Sequence, residues 1–467
     1  MLTELLTKRL IKIVGPDRLL TSSGDLGSLG IDRTTIWQAN PCAVVLPHSV
    51  KEVQKIVLLA NEFNLAIVPS GGRTGLSGGA VAKDGEIVLA MDHLNKIGEF
   101  NEIDRTVTVE AGLVTENLQT FARDNGLFYP VDFASSGSSQ IGGNIATNAG
   151  GINVIRYGMT RQWILGLTVV NGLGEVLYLN KGLVKNNTGY DFRHLFIGSE
   201  GTLGIICEAT IQLTRPPEDL TVFVLGIDTF PSILEVLKFF SAVINMTAFE
   251  FFSQLALDKV TELRGHQAPF ETKTPFYVLI EFESANSQVL DIAINAFEQC
   301  LEHGWVQDGV ISQSLSQADD LWKLRDDISE TLWQFEPYKN DISVRVSRMS
   351  AFLNDVDELI QLQYPEFEIV WYGHIGDGNL HLNILKPSHL SSDQFVTRCD
   401  GVSDHLGKLI GDYQGSVSAE HGVGLLKRDY LHYSRSETEI RLMREIKSVF
   451  DPKGVLNPGK LIKSSSL

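Results

Sequence analysis

The chain has 467 residues, 43% of them hydrophobic and 21% charged, with a formal net charge of −18 at pH 7. That size predicts about two to four domains, and that composition excludes a chain disordered over most of its length. The diffuse negative charge excludes nucleic acid and anionic membranes as bulk partners. It also repels acidic substrates, so a bound anion needs a local cluster of cations.

The first residues, Met1 to Leu10, read as an amphipathic helix without the continuous apolar core of a secretory signal. No run of about 18 apolar residues follows, so no transmembrane association is expected. The extreme N-terminus and Ser464-Ser465-Ser466 are the segments expected to lack order. Cys42, Cys207, Cys300 and Cys399 form no CxxC pair, which fits a reducing compartment.

From residue 41 to 215 short Val/Ile-rich runs predict strands at Cys42–Leu46, Ala66–Pro69, Glu86–Ala90 and Thr106–Glu110. Helical patterns lie between some of them, at Val50–Phe63 and Thr115–Asn125. Arg215-Pro216-Pro217-Glu218-Asp219 breaks both kinds of element and marks a domain boundary. Beyond it, strands at Thr221–Gly226, Thr274–Glu283 and Glu368–His374 alternate with helices at Pro231–Ile244 and Val289–His303. That pattern predicts a second α+β domain on an antiparallel sheet, and residues 416–467 then read as a helical segment with a turn-rich end.

Three glycine-rich stretches carry the first functional signal. Residues 69–79 read Pro-Ser-Gly-Gly-Arg-Thr-Gly-Leu-Ser-Gly-Gly directly after a predicted strand. Backbone N–H groups of Gly71, Gly72, Gly75 and Gly78 can approach an anion closely, with charge from Arg73 and a hydroxyl from Thr74. Neither GxxxxGK[ST] nor GxGxxG is present, which counts against an ATPase or an ordinary NAD enzyme. Residues 135–151 are small at nearly every position, including Gly137, Gly142, Gly143 and Gly150, and leave room for a large ligand. Gly198 to Ile206 is the third stretch.

Together these stretches resemble the FAD domain of the vanillyl-alcohol-oxidase (PCMH-type) flavoprotein superfamily. The resemblance implies an α+β chain. A PCMH-type FAD-binding domain spans residues 1–215, and a substrate domain with a helix-covered antiparallel sheet spans 216–415. A small helical segment, 416–467, packs near the flavin. It puts the FAD diphosphate on Gly71–Gly75 and the isoalloxazine along 137–151. Asn144, Thr147 and Asn148 offer hydrogen bonds to the isoalloxazine or ribityl edge, and backbone near Ile206 meets the adenine. No His lies in the first two stretches, so FAD is expected to be non-covalent.

Residues 371–385 read Trp-Tyr-Gly-His-Ile-Gly-Asp-Gly-Asn-Leu-His-Leu-Asn-Ile-Leu. Asp377-Gly378 is a strong two-residue hairpin signal. Pairing about it sets His374 opposite His381, close enough for both imidazoles to hold one metal ion, with Asn383 on the same face. Glu420 in Ser-Ala-Glu-His-Gly-Val-Gly is the third ligand candidate. Two His and one carboxylate suit Zn2+ and also accept Mn2+ or Fe2+. On the predicted helix around Leu321–Ser329, Arg325 and Ser329 are four apart and share a face.

These motifs resemble the D-2-hydroxyglutarate dehydrogenase branch of the FAD-linked oxidases. The resemblance implies His374, His381 and Glu420 as metal ligands, with Arg325, Ser329, Lys339 and Asn383 binding substrate. It implies His421 as catalytic base and Asn457 near the flavin. The expected reaction removes the hydroxyl proton to His421 and passes a hydride from C2 to flavin N5, giving 2-oxoglutarate. The pKa of free His lies about nine units below that of a water-like hydroxyl, roughly 12 kcal/mol, so a metal must carry most of the activation.

D-lactate or D-malate oxidation is the alternative substrate reading, and a non-catalytic flavin subunit of an oxidoreductase complex is the alternative class. Expected partners are a small dicarboxylate or hydroxy acid and an electron acceptor such as an electron-transfer flavoprotein, with a homodimer as one assembly. The location is the cytoplasm in a bacterium or the mitochondrial matrix in a eukaryote, without secretion.

Overall fold

The computed structural model describes residues 2–34 and 36–463; the terminal serines 464–466 lie outside them. Two units divide the chain. One comprises Met1–Gly150, Met159–Pro216 and Glu420–Leu467, the other Gly151–Gly158 and Pro217–Ala419.

Strands of the first unit are β1 (Leu19–Leu20), β2 (Ala43–Val45), β3 (Ile67–Ser70), β4 (Ile87–Ala90), β5 (Ile97–Asn101), β6 (Thr106–Glu110), β7 (Ile164–Asn171), β8 (Val176–Leu179) and β9 (Gly204–Gln212). They form one sheet ordered β1-β2-β4-β3 and another ordered β5-β6-β9-β7-β8. The first has a parallel centre, with Val44 and Val68 both beside Val88. Every residue of β2 and β4 is buried, as expected of parallel strands covered on both faces. Helix Val50–Phe63 makes the β2-to-β3 crossover. Ser49 caps it by accepting from the Glu52 N–H, and Asn64 ends it in a left-handed conformation, φ 51°. Val53, Ile56, Val57 and Ala60 recur at helical spacing along its buried face.

The small-residue stretch 135–151 contains a helix at Ile141–Thr147. Ile141, Asn144 and Ile145 form its buried stripe. A Cβ at Gly142 would lie 2.6 Å from the Ala111 Cβ, so glycine here lets a helix sit tightly against its neighbour.

The second unit holds β10 (Leu220–Ile227), β11 (Met246–Ser253), β12 (Phe276–Glu283), β13 (Asp308–Ile311), β14 (Tyr338–Ser343), β15 (Glu368–Gly373) and β16 (Asn379–Leu385). Their order is β13-β10-β12-β11-β15-β16-β14, antiparallel throughout. Period-2 alternation sorts the side chains. Phe249, Phe251, Leu380, Leu382, Ile384 and Ile342 join a core with the helices Phe230–Val243, Ser287–Glu302, Met349–Gln363 and Ser392–Asp412. The alternate positions, Glu250, Phe252, Tyr372, His381, Asn383, Lys339 and Asp341, occupy the opposite face. There Phe252, Val222 and Val224 pack with helices Gln254–Arg264 and Leu315–Leu332. One face of one sheet is therefore apolar at one side and polar at the other.

The β15–β16 turn differs from the two-residue hairpin expected at Asp377-Gly378. Tyr372, rather than His374, stands opposite His381. The His374 carbonyl accepts from both Asp377 and Asn379 N–H groups, at 3.3 and 3.2 Å, which closes a wider loop. Val344 N–H donates to the Gly378 carbonyl at 3.1 Å and anchors that loop to the end of β14. The register shift is even, so the pleat still turns both imidazoles the same way. Their ring centroids lie 5.3 Å apart.

Candidate active site

The polar part of the second unit's sheet starts from Glu250, a lone carboxylate in the run Ala248-Phe249-Glu250-Phe251-Phe252, whose side chain is 1% exposed. Isolated carboxylates are not buried without partners. Glu250 Oε1 meets His374 Nδ1 at 2.8 Å. Its Oε2 accepts from Arg325 Nε at 2.9 Å and lies 2.8 Å from Arg325 Nη2. The guanidinium carbon sits 4.8 Å from the centroid of the Tyr372 ring. Tyr372 in turn lies 4.9 Å, ring to ring, from His381. Helix Leu315–Leu332 supplies both Arg325 and Ser329, one turn apart.

Lys339, on β14, donates to Ser329 Oγ at 3.0 Å. Its ammonium lies 4.3 Å from the Trp333 ring centroid. Across the ladder Lys339 pairs with Asn383. Asn383 is 1% exposed, and its Oδ1 has no hydrogen-bond partner among the described residues. A buried carbonyl oxygen left unpaired costs about 1–3 kcal/mol, so it marks a position where a donor belongs. Arg325 and Ser329 on their helix thus lie beside the face that carries Lys339, Asn383, His374 and His381, although the sequence spreads the six over 59 positions.

Asp341 was not anticipated. It is fully buried on β14 opposite His381, with its Oδ1 3.7 Å from His381 Nδ1, and accepts from Asn379 Nδ2 at 2.9 Å. Ala419 N–H donates to the Asp341 carbonyl, so the chain leaves this strand end with Glu420 and His421 next in line. Asp341 and His381 offer a carboxylate oxygen and an imidazole nitrogen on this face, and Glu420 and His421 in the segment that follows offer the same two kinds of donor. His374 turns its Nδ1 to Glu250. Imidazole nitrogens and carboxylate oxygens in this number fit a divalent cation of the zinc, manganese or iron type.

In the first unit, the glycine stretches meet. A Cβ at Gly72 would lie 2.1 Å from the Ser138 carbonyl oxygen, so only glycine allows this approach. Arg73, at φ 60°, spends its guanidinium on Asp92 through two bonds of 3.0 and 2.7 Å. It therefore braces the loop. Thr74 and Gly75 continue that loop, and Gly75 faces Asp32 Oδ2. Asn144 Nδ2 donates to Thr115, Thr147 Oγ1 donates to the Gly143 carbonyl, and Asn148 Oδ1 accepts from Arg161 N–H. Each side chain expected at the flavin edge is thus bonded to protein. Ile206 is buried on β9 beside Val169.

Ser70 Oγ, Gln140 Oε1, Asn457 Oδ1 and Asp32 Oδ2 are buried around these loops without hydrogen-bond partners among the described residues. Burial pushes the Asp32 carboxyl up from its usual range. Gly143 has nothing within 4 Å of its Cβ direction, so protein packing does not explain why glycine stands there. Orphaned polar atoms beside open glycine backbone fit a large polar ligand.

Glu200 is the residue of this unit that sequence reasoning passed over, hidden among Gly198, Gly201 and Gly204. Fully enclosed at φ 52°, it accepts from Val423 N–H at 2.7 Å and from Gly424 N–H at 2.8 Å. Burial pushes its carboxyl pKa up, against the lowering effect of those two bonds. Asn457 Nδ2 donates to the Glu200 and Gly79 carbonyls, and Ser77 Oγ donates to the His421 carbonyl. Gly422 and Gly424 take the positive φ angles of a tight turn, 79° and 51°. The segment holding Glu420 and His421 is therefore fastened on both sides.

Comparison with known proteins agrees with this layout. A family model described as FAD binding domain matches residues 41–180, and one described as FAD linked oxidases, C-terminal domain, matches residues 216–461. The chain belongs to the FAD-linked oxidases, and is an FAD-dependent 2-hydroxy acid dehydrogenase of that family. Within it, the chain is 55% identical to the D-2-hydroxyglutarate dehydrogenase of Stutzerimonas stutzeri (strain A1501), over 96% of this chain and 97% of the relative. It is 54% identical to the enzyme of the same name from Xanthomonas citri pv. viticola, over 96% and 94%. The fold matches a crystal structure of p-cresol methylhydroxylase with a TM-score of 0.76 at 16% identity, covering 98% of this chain and 96% of that one. That likeness establishes the PCMH-type α+β fold. Among the described residues, no helix is long and apolar enough to cross a membrane.

Proposed function

We propose that this enzyme oxidises D-2-hydroxyglutarate to 2-oxoglutarate. The observation that carries the reading is the cationic and polar group between one sheet face and the helix packed on it: Arg325, Ser329, Lys339 and the unpaired Asn383 Oδ1 beside two histidines. In a chain of net charge −18, two cations on one buried face are suited to a substrate with two carboxylates. The relatives named for D-2-hydroxyglutarate support the same assignment.

In this reading Arg325 and Lys339 bind the carboxylates, and Ser329 and Asn383 orient the substrate by hydrogen bonds. His421 takes the hydroxyl proton, and the carbinol C2 gives up its hydrogen as hydride. The substrate thus loses two electrons and two protons' worth of hydrogen, one as a proton and one with the electron pair. FAD, held non-covalently by the loops at 71–79 and 137–151, supplies the acceptor for that pair at N5. A divalent metal held by His374, His381 and Glu420 supplies positive charge where the hydroxyl deprotonates. Asn457, tied to Gly79 and Glu200, holds the C-terminal segment against the glycine loops. A soluble electron carrier, such as an electron-transfer flavoprotein, reoxidises the flavin.

The test is turnover with an artificial dye acceptor over a panel of D- and L-2-hydroxy acids, with and without a chelator. The reading expects D-2-hydroxyglutarate to give the highest kcat/KM and chelation to abolish turnover while flavin stays bound. A preference for D-lactate or D-malate would move the substrate assignment to that alternative. Full activity in metal-free enzyme would overturn the metal's role.

A further inference from the structure

Among the buried polar groups that the proposed reaction leaves unused, Glu250 stands out by its connections. Its two oxygens are divided between two functional classes. Oε1 meets the Nδ1 of His374, a proposed metal ligand, at 2.8 Å. Oε2 is gripped by the Nε and Nη2 edge of Arg325, a proposed substrate cation, at 2.9 and 2.8 Å. All three side chains are at least nine-tenths buried. A carboxylate on Nδ1 fixes a histidine's tautomer, orients its ring and raises the basicity of the free Nε2. A carboxylate on one edge of a guanidinium fixes its plane and leaves three N–H bonds to point elsewhere. Glu250 does both at once, from a strand held on both sides by ladder partners, Leu279 on β12 and the β15 end at Gly373 next to Phe251.

We propose that Glu250 is a positioning residue that couples metal affinity to recognition of the substrate carboxylate. This inference rests on the function proposed above and adds a shared anchor to it. The coupling has a direction. Moving Glu250 turns His374 and Arg325 together, so a change there must appear in both metal binding and KM. A change at Lys339, which anchors to Ser329 instead, appears in KM alone. A residue that merely filled space would alter stability and leave these two readouts unlinked.

The experiment uses the flavin-loaded full-length protein, with Glu250→Gln and Glu250→Asp beside the parent. Zinc affinity is measured by competition with a chromophoric chelator, independently of turnover. KM for D-2-hydroxyglutarate is then measured with zinc saturating. Glu250→Gln keeps the volume but presents an NH2 group to one of two donors, and zinc affinity is expected to fall by about 10- to 100-fold. KM is expected to rise by a similar factor even when zinc is saturating. Glu250→Asp keeps the charge but is too short to reach both partners, so both quantities should move several-fold. Should Glu250→Gln fail to retain flavin or fold, the Asp variant decides alone. Zinc affinity or KM within twofold of the parent in a folded variant would overturn the coupling and leave the proposed function standing. A parent that binds none of zinc, manganese and iron would overturn the metal's role and the coupling together, and leave the substrate assignment standing.

Discussion

Lys339 gives the sharpest test of substrate choice. Its ammonium is held between Ser329 Oγ at 3.0 Å and the Trp333 ring at 4.3 Å, and its strand position faces Asn383, whose Oδ1 is unpaired. In Lys339→Met the stem still packs on Trp333, while the charge and the hydrogen bond disappear. Removing one member of a desolvated, hydrogen-bonded charge pair costs about 2–5 kcal/mol. Lys339 is only half-buried, which favours the lower end, about 2–3 kcal/mol, or roughly 30- to 150-fold in kcat/KM. A substrate without the second carboxylate makes no such contact and should lose little. The assay is kcat/KM for D-2-hydroxyglutarate and D-lactate in parent and variant, with a dye acceptor and saturating metal. An equal loss for both substrates would refute the assignment of Lys339 to a second carboxylate, and so would no loss for either.

Gly72→Ala places a Cβ 2.1 Å from the Ser138 carbonyl, so the two loops must separate; the purified variant should lose most of the visible flavin absorbance, and a normal flavin-to-protein ratio would contradict the packing. Glu200→Ala removes the acceptor for two buried N–H groups at Val423 and Gly424, a loss of about 2 kcal/mol or more. It should lower kcat by disordering the Glu420–His421 turn; unchanged kcat and thermal midpoint would show that the clasp has no such role. Burial pushes the Lys460 ammonium down to about 8, from an ordinary 10.5. Between those values the unfolded chain binds more protons, so this group's contribution to stability improves as pH rises through that window, by about 3 kcal/mol in total. The stability of the parent relative to Lys460→Met should therefore increase from pH 7 to pH 10, measured by denaturant unfolding; a pH-independent difference would refute it.

Local pattern was the legible part. Val50–Phe63 has a capping serine and an apolar stripe at helical spacing, and it forms over those residues. Thr106–Glu110 alternates and forms a strand over those residues. Arg325 and Ser329 share a face because they are one helical turn apart. Proximity of His374 and His381 was foreseen from a register that is itself two residues off. It survives because an even shift preserves the face, whereas an odd one would have separated them. Partnerships across long stretches of chain were not legible. Glu250 meets Arg325 only when β11 and a helix 75 residues later come together, and nothing local announces that. Its one sequence signal is a charge inside a run of phenylalanines, where an acid must find a partner if the strand is buried. Asp341 and Glu200 were missed for the same reason. The pairing of Arg73 with Asp92, which lies beyond the loop, was hidden in the same way.

Flavin reduction in a single anaerobic turnover tests the central claim most directly. The flavin-loaded enzyme is mixed with D-2-hydroxyglutarate in the absence of any electron acceptor, and the visible absorbance of oxidised flavin is followed. The account predicts prompt bleaching, with one equivalent of 2-oxoglutarate formed per flavin and no bleaching by the L enantiomer. Flavin that stays oxidised under saturating substrate, with metal present, would contradict it.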